Sequence, residues 1–208
     1  MPLPHRSRHA KEHGGASAPR IHLDTPRAPQ LVAAALEECL SPVGHGRPAV
    51  FMCIGTDRST GDALGPLIGT KIQGLQSENV AVYGTLAYPV HAGNLASVIE
   101  EVERAHPEAL LVAIDACLGK SEHVGQIGVR PGPLLPGRGV NKRLPAVGHA
   151  HIVGIVNVGG FMEYFVLQNT RLHLVMRMAD AIAEALAIWV RARQTGAAGR
   201  PLPAGHPW

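Results

Sequence analysis

AVFMCIGTDRSTGDALGPLIGTKI, residues 49–72, begins as an apolar run from Ala49 to Ile54 and breaks at Gly55 into a polar loop. The loop ends in Asp62, after which Leu64, Leu67, Ile68 and Ile72 recur at helical spacing. This pattern predicts a strand, a tight loop and a helix, with Asp62 at or beside the helix N-cap. In a parallel α/β sheet such a loop lies outside the carboxyl end of its strand, where ligands and catalytic groups collect. ALLVAIDACLG, residues 109–119, has the same form, an apolar strand running into Asp115. Two carboxylates placed this way are expected to converge on one cleft.

Outward from these segments the chain alternates. Helices are expected at about 29–40, 62–76 and 92–105, the last with Leu95, Val98, Ile99 and Val102 on one face. Strands are expected at 49–54, 79–86, 110–115, 124–130 and 151–158. A Gly/Pro-rich loop covers 131–148, and a long helical region, 161–193, contains Asn169 and Thr170 as candidate caps for a final helix. The βαβα order predicts a mostly parallel sheet covered by helices on both faces. Residues 1–29 lack apolar periodicity and read as a disordered tail, with a short extended piece at Ile21–Leu23. Residues 194–208, rich in Gly, Pro and Ala, read as a second tail. A single domain over 30–193 follows.

Charge and composition narrow the function classes. The 208 residues are 46% hydrophobic but only 4% aromatic, so aliphatic side chains must fill most of the core. The net charge of +3 resides in residues 1–30, because residues 31–208 carry 14 basic and 14 acidic groups. With no basic stripe interleaved with aromatics, nucleic-acid binding is not expected. No apolar run approaches the ~20 residues needed to span a membrane, and no signal-peptide core opens the chain. Cys39, Cys53 and Cys117 are odd in number and lie in or beside apolar segments, which fits a reduced, cytoplasmic setting.

Each candidate group has a plain structural use to weigh against a chemical one. Asp62 can cap a helix and Asp115 can end a strand as a turn former. Thr56, Asp57, Arg58, Ser59 and Thr60 crowd the loop before Asp62, however, and a mere connection seldom carries so many polar groups. Two carboxylates in a partly dry cleft cannot both ionise easily, so the pair can hold an acid and a base together at neutral pH. With a histidine, two acids can instead bind a divalent metal. His149 and His151, two apart, share one face of a strand and are the minority ligand candidates. His91, at a strand exit after Pro89, is a pocket candidate. Cys117 is either a nucleophile or, more simply, a small buried thiol. The Gly/Pro loop runs into Asn141, Lys142 and Arg143, whose charge can line the cleft, but it matches neither the Walker pattern nor GxGxxG.

Several of these stretches, taken in order over residues 46–180, resemble the YyaC family of sporulation proteins: CIGTDRSTGDALGPLIG, VYGTL–YPVHAGNL, IDACLG, GPLLPGRGVNKRLPAVG and GIVNVGGFMEYFVLQNTRL. That family is similar to the spore germination protease and, more distantly, to hydrogenase maturation endopeptidases. The resemblance implies a phosphorylase/hydrolase-like three-layer αβα sandwich. Asp62 in TGDALGP and Asp115 in IDACLG match the germination protease's two catalytic aspartates. Thr56, Asp57, Arg58, Ser59, His91, Lys142, Arg143 and Asn157 are the expected substrate-binding groups. The maturation enzymes hold a metal with comparable positions and a later histidine, for which Asp62, Asp115 and His149 are the weaker alternative. Ala87-Tyr88 departs from the acidic residues expected before Pro-Val-His. The expectation is a spore or forespore peptidase acting without a cofactor on a protein or peptide, small spore proteins among the candidates. A silent sporulation factor that binds a partner peptide in the same cleft is the alternative, and a homo-oligomer is possible in either case.

Overall fold

The computed structural model of the protein describes residues 20–136 and 144–196. Six strands form one sheet: β1 (Arg20–His22), β2 (Ala49–Cys53), β3 (Val80–Tyr83), β4 (Leu110–Gly119), β5 (Gln126–Pro131) and β6 (Ala150–Val158). Five α-helices accompany them: α1 (Ala28–Leu40), α2 (Leu64–Ile72), α3 (Leu95–Ala105), α4 (Glu163–Gln168) and α5 (Leu172–Gln194). The order across the sheet is β1-β5-β6-β4-β2-β3. Strands β2, β3, β4 and β6 run parallel, β5 lies antiparallel to β6, and β1 antiparallel to β5.

All five residues of β2 are buried, as expected of a central parallel strand with helices on both sides. One face packs Phe51, Ile114, Ile127 and Ile152 against α1, α2 and α5, through Leu36, Leu64, Met178, Ile182 and Leu186. The other packs Val50, Met52 and Ala113 against Leu95 and Val102 of α3, with Leu134, Leu144 and Val147 from the segments flanking residues 137–143. This is a three-layer α/β sandwich on a mostly parallel mixed sheet.

Three segments differ from the sequence reading. Strand β4, expected to end at Asp115, runs on to Gly119, so Asp115 lies within the strand rather than at its end. Residues 20–29 are not tail: β1 pairs Ile21 with Ile127, and α1 starts at Ala28. The short extended piece expected at Ile21–Leu23 is a strand of the sheet, but its pairing carries no local signal, because Ile21 is buried against a partner over a hundred positions away. The helical region 161–193 divides into α4 and α5, and the cap of α5 is Arg171 rather than Asn169 or Thr170. The Thr170 hydroxyl instead donates to the Val166 carbonyl, and the Asn169 amide to that of Phe165.

The connections fix where a site can form. From β2 the chain crosses by α2 to β3 on one side; from β3 it crosses by α3 to β4 on the other side of β2. The winding direction therefore reverses between β2 and β4, and the loops above their carboxyl ends splay apart there. Asp62 follows β2 and Asp115 lies in β4.

Candidate functional site

The loop from Gly55 to Ala63 folds back on its own strand. The Thr56 N–H donates to the Asp62 carbonyl at 3.1 Å, and the Arg58 N–H to the Thr56 hydroxyl at 3.3 Å. A Cβ at Gly55, whose φ is +148°, would lie 2.0 Å from that Asp62 carbonyl oxygen. Only glycine allows so tight a return. Helix α2 then begins close against the strand, for a Cβ at Gly65 would meet the Ile54 carbonyl at 2.0 Å. Its N-cap is Ala63, without a side-chain cap bond, so the Asp62 carboxylate does not serve as the helix cap.

Burial raises the pKa of Asp62, and the Ser59 hydroxyl beside it offsets part of the rise. That hydroxyl is buried and meets no group in regular hydrogen-bond geometry. Asp115 is raised further, from an aspartate's usual 3.8 to about 8. Burial is the main cause; the Ala116 N–H, donating to Oδ1 at 2.8 Å, pulls against it, and the negative charge of Asp62 adds to it. Strand register sets this proximity: Cys53 pairs with Ile114, and Ile54 donates its N–H to the Ile114 carbonyl at 2.7 Å. Asp115 is thus level with the point where β2 gives way to the loop. Burial thus raises both acids, and Asp115 holds its proton near neutral pH.

The other expected residues divide. Thr56 and Ser59 belong to the loop's inner wall, while Asp57 and Arg58 are exposed at its tip. His91 is exposed on the same edge, because Val90 forms a parallel bridge with Ile54 and accepts the Gly55 N–H. Lys142 and Arg143 lie outside the described residues. Asn157 is a correction: its Nδ2 donates to Val166 and Thr170 and its Oδ1 accepts from Val158, which fastens α4 and leaves no free amide for a substrate.

His149 is another correction. It sits opposite Leu111, exchanging its backbone N–H with that residue's carbonyl and accepting the Leu111 N–H at Nδ1. That is four residues upstream of Asp115, roughly 13 Å along a strand rising ~3.3 Å per residue. His149 therefore cannot share a metal with the two acids. His151 turns its Nδ1 to the Gly132 carbonyl. Among the described residues no three His, Cys, Asp or Glu side chains converge in metal-binding fashion. Cys117 is raised to about 11 by burial and by Asp115, so it is a thiol and a poor nucleophile at neutral pH.

Sequence reasoning missed the segment after β6. The pairing of β4 with β6 slips between Cys117 and Leu118, leaving Val156 without a partner, and the chain beyond β6 turns over the same edge. The Leu167 carbonyl accepts the N–H of Gly61, next to Asp62, at 2.8 Å. A Cβ on Gly61 would strike the Leu167 side chain at 2.7 Å. The glycine in STGDALG was the available signal, but only the tertiary contact gives it meaning.

Comparison with known proteins agrees with this architecture. The chain is 56% identical over 143 residues to the uncharacterized protein YyaC of Bacillus subtilis (strain 168), spanning 69% of this chain and 70% of the relative. Its fold is similar to that of the [NiFe] hydrogenase maturation protease HycI from Thermococcus kodakarensis KOD1, with a TM-score of 0.51 and 18% identity over 75% of this chain and 98% of the other. That protease-like likeness is one of fold. Residues 20–185, from β1 well into α5, match the family described as "Protein of unknown function (DUF1256)", and the chain belongs to that family.

Proposed function

We propose that the protein is a peptidase that hydrolyses a peptide bond in a protein substrate with Asp62 and Asp115 as its acid pair. One observation carries the reading. Asp115 is raised to about 8 by burial and by the charge of Asp62, itself raised by burial, at the topological switch point of a parallel sheet. In the proposed step Asp62, ionised, takes a proton from water as the water oxygen bonds to the scissile carbonyl carbon. The tetrahedral intermediate then loses its amine, which takes the proton of Asp115. Transfer of the proton from Asp62 to Asp115 restores the starting state. Arg58 is the cation of the described loop best placed at the edge to steady the oxyanion.

The sporulation setting, a forespore compartment and small spore proteins as substrates are proposed on the motif likeness to the YyaC and germination-protease families. The test uses the full chain with denatured spore-protein extract and a capped random decapeptide mixture, products being identified by mass spectrometry. Asp62→Asn and Asp115→Asn should each lower cleavage by about 10²–10⁴-fold, the usual contribution of a general acid or base. Cleavage should also decline as pH rises past about 8, where Asp115 loses its proton. Undiminished cleavage by either variant would end the proposal. No cleavage by the parent protein would favour a binding factor.

A further inference from the structure

Among the described residues, six of the ten exposed large apolar side chains fall between residues 158 and 172: Val158, Phe161, Met162, Tyr164, Phe165 and Leu172. Phe161 is 82% exposed, and all but Val158 are more than half exposed. Single exposed apolar residues need no explanation, but a cluster of this kind marks an interaction surface. Its backbone is held open at some cost, because Met162, a non-glycine, adopts φ 49° to start α4.

Two features say what fits there. The patch is continuous with the acid pair: Leu167 of α4 bonds to Gly61, and Asn157 ties α4 to the end of β6. Since β6, β4, β2 and β3 are parallel, their carboxyl ends share one edge in that order. The acids of the β2 loop and β4 thus lie between the α4 patch and the exit loop of β3, where Tyr88 is 81% exposed and Leu86 is also exposed. The patch is poor in charge: Glu163 turns its Oε1 to the Gly160 N–H at 3.2 Å, and Arg171 is exposed at the far end, beside Leu172. An apolar segment therefore meets six apolar side chains there against two charged ones.

We infer that the α4 aromatics and the Tyr88 loop form the two banks of a substrate groove that selects an uncharged, apolar stretch of polypeptide across the acid pair. The inference rests on the peptidase reading for what happens to that stretch, but binding tests it separately. Fluorescence anisotropy of labelled decapeptides would be measured against Asp115→Asn protein, one peptide of Leu, Phe and Ala and one of the same length rich in Glu. The apolar peptide should bind at least tenfold tighter, and Phe161→Ser with Phe165→Ser should remove that preference at an unchanged melting temperature. Equal binding of both peptides, or a preference that survives the double substitution, would overturn the inference. So would concentration-dependent dimers that the double substitution abolishes, which would assign the patch to a second copy of the chain. Among cleaved decapeptides, apolar residues should flank the cut bond. Cleavage with no such bias defeats this inference alone, whereas selective binding with no cleavage defeats the peptidase reading alone.

Discussion

Replacing Asp115 by asparagine is expected to stabilise the protein, and more so as the pH rises. The folded carboxyl titrates near 8 and an unfolded one near 3.8. Between those values the folded chain holds a proton that the unfolded chain has released, so stability falls with rising pH by about 1.4 kcal/mol per unit. Carried from 3.8 to pH 7, this gives a ceiling of about 4 kcal/mol against a side chain that does not titrate. The residue is only partly buried, so the difference should lie below that ceiling. For a chain of this size the ceiling corresponds to roughly 8–16 °C in melting temperature. Asparagine keeps the shape and can still accept the Ala116 N–H. Thermal melts of parent and variant from pH 4 to pH 8 measure the difference. It should be small at pH 4 and grow towards pH 8. A difference that is flat with pH, or a parent that is the more stable at pH 7, would refute the argument that burial forces the proton onto Asp115.

Two further outcomes follow from the same geometry. Ile21→Ala removes the buried contact of β1 and should cost about 2 kcal/mol, read as a drop of roughly 4–8 °C in melting temperature; an unchanged melt would mean that the edge strand contributes nothing to the fold. Cys117→Ala should leave cleavage within about twofold, because a thiol raised to about 11 offers almost no thiolate at neutral pH, and loss of activity would make it a nucleophile after all.

The strand–loop–helix at 49–72 was legible because each of its signals is local: an apolar run, a glycine break and helical spacing within 24 residues. Asp115 stood out for the same reason, although β4 continues past it to Gly119. The parallel order of β2, β3 and β4 followed from the alternation of elements. What escaped the sequence depends on distant partners. Strand β1 is defined by β5, and the role of Asn157 by the return of α4. His149 looked near the acids because spacing along a chain says nothing of the level at which a strand enters the sheet. The exposed aromatics between residues 161 and 165 fell within a region read simply as helical, and a hydrophobic pattern cannot tell a side chain facing the sheet from one facing outward.

The antiparallel end of the sheet has a consequence for biosynthesis. Strand β1 touches the sheet only through β5, and β5 only through β6. A chain emerging from the ribosome therefore carries Arg20–His22 without its partner until Gln126–Pro131 has been made, and apart from the parallel strands until Ala150–Val158 follows. At roughly 5–20 residues per second that wait is on the order of ten seconds, long compared with the microseconds a hairpin needs. The brevity of β1 and its flanking Arg20 and His22 make it a poor template for a stray strand in the interval. Helix α1 must wait longer still, because α5, on which it packs, is the last of the described elements to be translated. The first segment of the domain to be synthesised is thus among the last to dock.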